Sequence, residues 1–164
     1  MELTEIKEKY NKAHEAYLKY KDTNGTNNIE AAYLPEIIEA LKRDFYIVPD
    51  CLLNFLGCDL IDLKSGQLYD VKICQYLHGT EVLIDCWKHD KKGNWYKATD
   101  VKINDAFIFL NHDNIIIIPT KYIENRIPPK EDCFYMKRDI YRTTLKAVID
   151  VSDCRKLVIP RQHN

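Results

Sequence analysis

The stretch CDLIDLKSGQLYDVKI, residues 58–73, decides how this chain is read. Apolar and polar residues alternate on both sides of Ser65-Gly66, the pattern of two strands joined by a two-residue turn. Pairing outward sets Lys64 against Gln67, Asp62 against Tyr69, Leu60 against Val71 and Asp59 against Lys72. Cross-strand partners share a face, so Asp59, Asp70 and Lys72 project together. Leu60, Asp62, Tyr69, Val71 and Ile73 form the other, mostly core-like side. A one-residue slip would bring Asp62 to Asp70 and Lys72 instead. Two carboxylates beside a lysine can hold a hard divalent cation, magnesium or else manganese, through oxygen ligands. Such an ion polarises a phosphodiester and lowers the pKa of a bound water, and the lysine can stabilise charge on the phosphate. The same residues on a solvated strand make only a cross-strand ion pair.

Upstream, Leu3, Ile6, Tyr10, Ala13, Tyr17 and Tyr20 recur at spacings of three and four, which predicts a helix over residues 2–21. Its tyrosines suit packing or pairing of two copies into a homodimer. DTNGTNN, residues 22–28, reads as a loop. A second helix is expected over 29–43, kinked or restarted at Pro35. Residues 45–48 form a short strand stopped by Pro49. Downstream, 81–88 and 94–97 read as a hairpin about residues 90–93, and 106–110 and 115–118 as strands joined by a turn at 111–114. The rest is a short helix near 121–125, a break at Pro128-Pro129, and stretches 141–149 and 156–159 that fit helix or strand. The order predicts a mixed α/β domain.

Composition narrows the function classes. The chain has 164 residues, a formal net charge of −1 and no apolar run near the roughly 20 residues that span a bilayer. Its first residues lack a signal-peptide core, so the expected setting is intracellular, in the cytoplasm or wherever its nucleic acid lies, with no membrane partner. Six cysteines without a C-x-x-C pair read as reduced thiols. The five histidines have no zinc-ligand spacing, which argues against a structural zinc site. Charge is uneven, because residues 121–164 carry 10 basic against 6 acidic side chains. Within that segment Lys137, Arg138, Arg142 and Lys146 recur at near-helical spacing with Tyr135 and Tyr141 between them. They are the candidate nucleic-acid backbone contacts, or else a solvated basic face. No G-x-S-x-G elbow, P-loop or G-x-G-x-x-G occurs. Asp85, alternating with Leu83 and Trp87, ranks below the hairpin residues as a site candidate.

The sequence order resembles the PD-(D/E)XK nuclease superfamily, with its small intron-encoded homing and phage-type endonucleases as the nearest branch. The residues behind the resemblance are Glu30-Ala31-Ala32 opening a helix, the strand at 45–48, Asp59-Leu60-Ile61, Gly66-Gln67-Leu68-Tyr69 and Asp70-Val71-Lys72. NDAFIFL at 104–110 and IIIIPTKYI at 115–123 resemble that branch's closing strands and helix. The likeness spans about residues 28–123. It implies a restriction-endonuclease-like core of helix and mixed sheet, an N-terminal helix and loop over 1–27, and a basic extension over 124–164. It implies Asp59 and Asp70 as metal ligands, Lys72 as catalytic lysine and Glu30 as accessory acid, with Glu36 the rival for that last role. Two departures are the apolar PDCLLNFLGC, residues 49–58, and Asp70 itself, where many relatives carry Glu or Gln. The expected function is magnesium-dependent endonucleolytic cleavage of double-stranded DNA. The competing expectations are a non-catalytic nuclease-fold module that binds nucleic acid or a protein, and an interaction protein whose triad is only an ion-pair cluster.

Overall fold

AFIFLN and NIIIIP are apolar at nearly every position, which fits a strand only where both of its faces are covered. That is their situation in the computed structural model, which describes residues 30–49, 54, 56–136 and 142–163. The expected helix over 2–21, the loop at 22–28, and Lys137, Arg138 and Tyr141 lie outside the described residues. Element order is α1 (Glu30–Leu41), β1 (Phe45–Ile47), β2 (Leu60–Asp62), β3 (Leu68–Cys74), β4 (Glu81–His89), β5 (Trp95–Lys97), β6 (Ala106–Asn111), β7 (Asn114–Pro119), α2 (Thr120–Glu124), β8 (Thr144–Asp150) and β9 (Leu157–Pro160). Short 3₁₀ turns occupy Ala98–Val101 and Lys130–Asp132.

Among the described residues the strands form a six-stranded sheet, ordered β1-β2-β3-β6-β7-β9, and a three-stranded sheet, ordered β5-β4-β8. β3 and β6 are parallel, and every other pair is antiparallel. One face of the large sheet packs Leu60, Tyr69, Val71, Ile108, Leu110 and Ile115 against Leu34, Ile37 and Leu41 of α1. The opposite face packs Cys74, Phe107, Phe109, Ile116 and Ile118 against Val82, Ile84, Ala147 and Ile149 of the small sheet. The result is three layers, helix on sheet on sheet, with period-two alternation assigning each side chain to a layer. No described helix is long and apolar enough to cross a membrane.

Two expectations need amendment, and one open alternative is resolved. Helix α1 runs through Pro35 without a break and ends where Lys42 turns left-handed, at φ 51°, its N–H donating to the Ile38 carbonyl. The hairpin register lies two residues from the one drawn through Ser65-Gly66, for Leu60 pairs with Tyr69 and Ile61 with Leu68. The cause is Asp62, whose Oδ1 accepts from the N–H groups of Lys64 at 2.8 Å and Ser65 at 3.2 Å. That side chain–backbone capping closes a longer loop, with Gly66 at φ 75°. A two-residue slip preserves the faces, so Asp59 stays with Asp70 and Lys72 but now abuts Asp70. Finally, the two stretches that fitted helix or strand are strands: β8 joins β4 and β9 joins β7.

The layered core makes a stability prediction. Phe109 is fully buried between the sheets while Val148 on β8 is 40% exposed. Phe109→Ala should cost about 3–5 kcal/mol in urea unfolding, and Val148→Ala no more than about 0.5 kcal/mol.

Candidate functional site

The site is built from the side chains that the inner face of β3 presents to the small sheet. Asp59, just before β2, lies where its backbone N–H reaches the Tyr69 carbonyl at 2.7 Å. Its carboxyl accepts from the Val71 N–H at 2.6 Å and from Asn54 Nδ2 at 2.8 Å, and the charge of Asp70 acts on it. Lys72 Nζ stands 3.6 Å from Asp70 Oδ2 and 3.3 Å from Asp85 Oδ2 on β4. Lys102, from the loop before β6, reaches Asp70 Oδ2 at 2.8 Å. Lys146 on β8 is the cross-strand partner of Asp85 and closes on its Oδ1 at 2.6 Å. Lys102, Asp70, Lys72, Asp85 and Lys146 thus alternate in charge in the seam between the two sheets, with Asp59 beside Asp70.

Burial and charge set the protonation states. Asp59 is pushed up to about 8, first by burial and then by the Asp70 charge. Asp70 is buried too, but Lys72 and Lys102 outweigh that and hold it below the ordinary carboxylate range. Burial opposes the charge on Asp85 as well, yet Lys72 and Lys146 keep it ionised to strongly acid pH. Burial works against the Lys72 ammonium, and Asp70, Asp85, Asp59 and Glu30 reverse that, so Lys72 stays charged well above the ordinary lysine range. Lys102 moves the other way, lowered by burial and by the charge of Lys72. At neutral pH Asp59 therefore carries the proton of the carboxyl pair, and the lysines surround two carboxylates.

The hairpin residues singled out in the sequence, Asp59, Asp70 and Lys72, do come together. Glu30 opens α1 half-buried, and its charge acts on Lys72. Glu36 is engaged elsewhere, 3.0 Å from Arg161 Nε. The helical spacing of the basic residues does not hold through Lys146, which lies in β8 and is committed to Asp85. Arg142 precedes that strand at φ 48°, its guanidinium 5.8 Å from the Tyr135 ring centre. Asp85, ranked low in the sequence, occupies the centre of the cluster. A lone acid in an apolar strand was the available signal, and its weight depended on knowing that β4 packs over β3. Lys102 carried no sequence signal. Its side chain passes over Phe107 and beside Gly57, where an added Cβ would lie 3.0 Å from Nζ. Comparison with protein-family models, curated proteins and solved structures finds no match to this chain.

Two outcomes follow from these states. Between the ordinary aspartate range and about pH 8, the folded chain keeps an Asp59 proton that the unfolded chain releases. Stability should therefore fall as pH rises through that window. Asp59→Asn, which retains an acceptor for Val71, should flatten the decline by on the order of a few kcal/mol in urea midpoints taken across that range. Asp85→Asn leaves Lys72 and Lys146 without their shared carboxylate and should cost about 3–5 kcal/mol at neutral pH.

Proposed function

We propose that this chain is a divalent-metal-dependent endonuclease of PD-(D/E)XK character that hydrolyses phosphodiester bonds in double-stranded DNA. The observation that carries the reading is the β2–β3 register, which sets Asp59 opposite Asp70, with the Lys72 ammonium 3.6 Å from Asp70. The order of helix α1, the β1–β2–β3 meander and a mixed sheet supports it as the layout that the sequence resemblance implies.

The donor set suits magnesium or manganese. It consists of carboxylate oxygens, and Asp59 is held protonated by burial and by its neighbour's charge, a repulsion that a cation would relieve. Asp59 and Asp70 would hold the ion, which supplies charge neutralisation at the phosphate and a more acidic bound water. The other roles belong to the chain. Asn54 and the Val71 N–H orient the Asp59 carboxyl. Lys102 orients Asp70 and competes with the cation for Oδ2. Lys72, charged throughout the working pH range, faces negative charge developing on the scissile phosphate. Asp85 and Glu30 keep it charged, and Asp85 fixes its position. Backbone affinity would come from Lys137, Arg138 and Arg142, since Lys146 is bound to Asp85.

One observation favours a second reading. Asp70 and Asp85 each already have two lysine partners, as in a satisfied structural network. On that reading the chain is a non-catalytic module that binds nucleic acid or a protein partner. Cleavage decides between them. Supercoiled DNA should be nicked with Mg²⁺ or Mn²⁺ and spared in EDTA. Lys72→Met should slow nicking by on the order of a hundredfold or more, with DNA affinity nearly unchanged. Binding without cleavage in either metal would select the non-catalytic module. Neutralising Lys137, Arg138 and Arg142 together should lower the log–log salt slope by about 0.9 for each phosphate that no longer meets a basic side chain. An unchanged slope would remove the three from the DNA surface.

A further inference from the structure

β9 is antiparallel to β7, and β7 to β6, so β3, β6 and β9 all run in one direction. Their C-terminal ends therefore lie at the same edge of the large sheet. The chain places a histidine just past each end: His78 after β3, His112 after β6 and His163 after β9. Histidines far apart in sequence thus meet in space. The ring centres of His78 and His112 are 4.7 Å apart, and His163 stacks on His112 at 5.0 Å. Asp113 completes the group, with Oδ2 3.5 Å from His78 Nδ1. One ligand atom from each of His78, His112 and Asp113 lies within 4.8 Å of the others.

The backbone beneath these side chains is tied down. Asn111, fully buried, donates from Nδ2 to the carbonyls of Gly79 at 2.9 Å and Glu81 at 3.1 Å. Its Oδ1 accepts from the N–H groups of Asp113 at 3.0 Å and Asn114 at 2.8 Å. The His112 N–H donates to the Leu77 carbonyl at 2.8 Å, and Asp113 Oδ2 accepts from the Gly79 N–H at 2.7 Å. The Arg161 N–H joins the Asp113 carbonyl at 2.8 Å and brings the third segment in. One buried amide thus fixes the two loops that carry the candidate ligands, and the two histidines lie exposed at the surface.

We propose that His78, His112 and Asp113 form a binding site for a divalent transition-metal ion, zinc foremost, with His163 packed on His112 to limit its ring. Two imidazoles and one carboxylate are a borderline donor set, suited to zinc and poorly suited to magnesium. Bonds of about 2.0–2.1 Å require the side chains to close by rotation alone, since the backbone already converges. The bound ion clasps the ends of β3 and β6, parallel neighbours whose connection runs through β4 and β5.

Calorimetric titration of the full chain with zinc chloride tests this. The expected result is one zinc per chain at micromolar affinity, weakened roughly tenfold or more in the His78→Ala/His112→Ala double variant. Both histidines are exposed, and an unchanged circular dichroism spectrum confirms that the variant folds. The cobalt-substituted protein should show d–d bands without thiolate charge transfer, which separates the site from Cys133 and Cys154. Asp70→Asn should bind zinc as the parent does, so the outcome is independent of the nuclease reading. Absence of binding at micromolar zinc, equal affinity in the double variant, a thiolate spectrum, or loss of binding in an Asp70→Asn variant whose circular dichroism spectrum is unchanged would each overturn the proposal.

Discussion

Lys72 lies between two carboxylates, buried Asp70 on its own strand and half-buried Asp85 on the sheet packed above it, and this bridge governs the rest of the site. A charge taken out of water is tolerated only when it is paired and hydrogen-bonded. Each member therefore constrains the next: Asp70 needs Lys102, Asp85 needs Lys146, and Asp59, buried beside the charge of Asp70, keeps its proton. Removing one partner strands a charge out of water. The network's other effect is positional, because it joins β3, β4, β8 and the loop before β6 at fixed points in the seam.

That seam exists because the large sheet is covered on both faces. Helix α1 shields the side that carries Tyr69 and Val71, while the small sheet shields the side that carries Asp70 and Lys72. Alternation along β3 thus separates an apolar layer from a charged one within a single seven-residue strand. The low dielectric that raises Asp59 is a consequence of this layering. Asp59 gains its unusual proton affinity from burial and from the charge of Asp70 beside it.

The same topology accounts for both ends of β3. Its parallel pairing with β6 requires a crossover, and here the crossover runs through the small sheet that covers the charged face. At the far end, the shared direction of β3, β6 and β9 gathers the histidines. A single strand thus carries the Asp–Lys cluster along its length and leads into the histidine group beyond its end.

Much of this was legible in the sequence by itself. Apolar runs marked the strands at 45–48, 106–110 and 115–118, the turn at Ser65-Gly66 marked the hairpin over 58–73, and pairing across that turn placed Asp59, Asp70 and Lys72 on one face. That assignment survived a wrong turn length because a two-residue slip leaves every side chain on its original side. The alternation did not reveal that Asp62 would cap a longer loop, since side chain–backbone bonding leaves no periodic trace. Nor did it promote Asp85 and Lys146 to the cluster, single out Lys102, or bring His78, His112 and Asp113 together. Those pairings span up to 61 residues between Asp85 and Lys146. Local patterning determines which face a side chain takes, because backbone geometry is local. What that face meets depends on how the layers stack, and only the tertiary structure decided it.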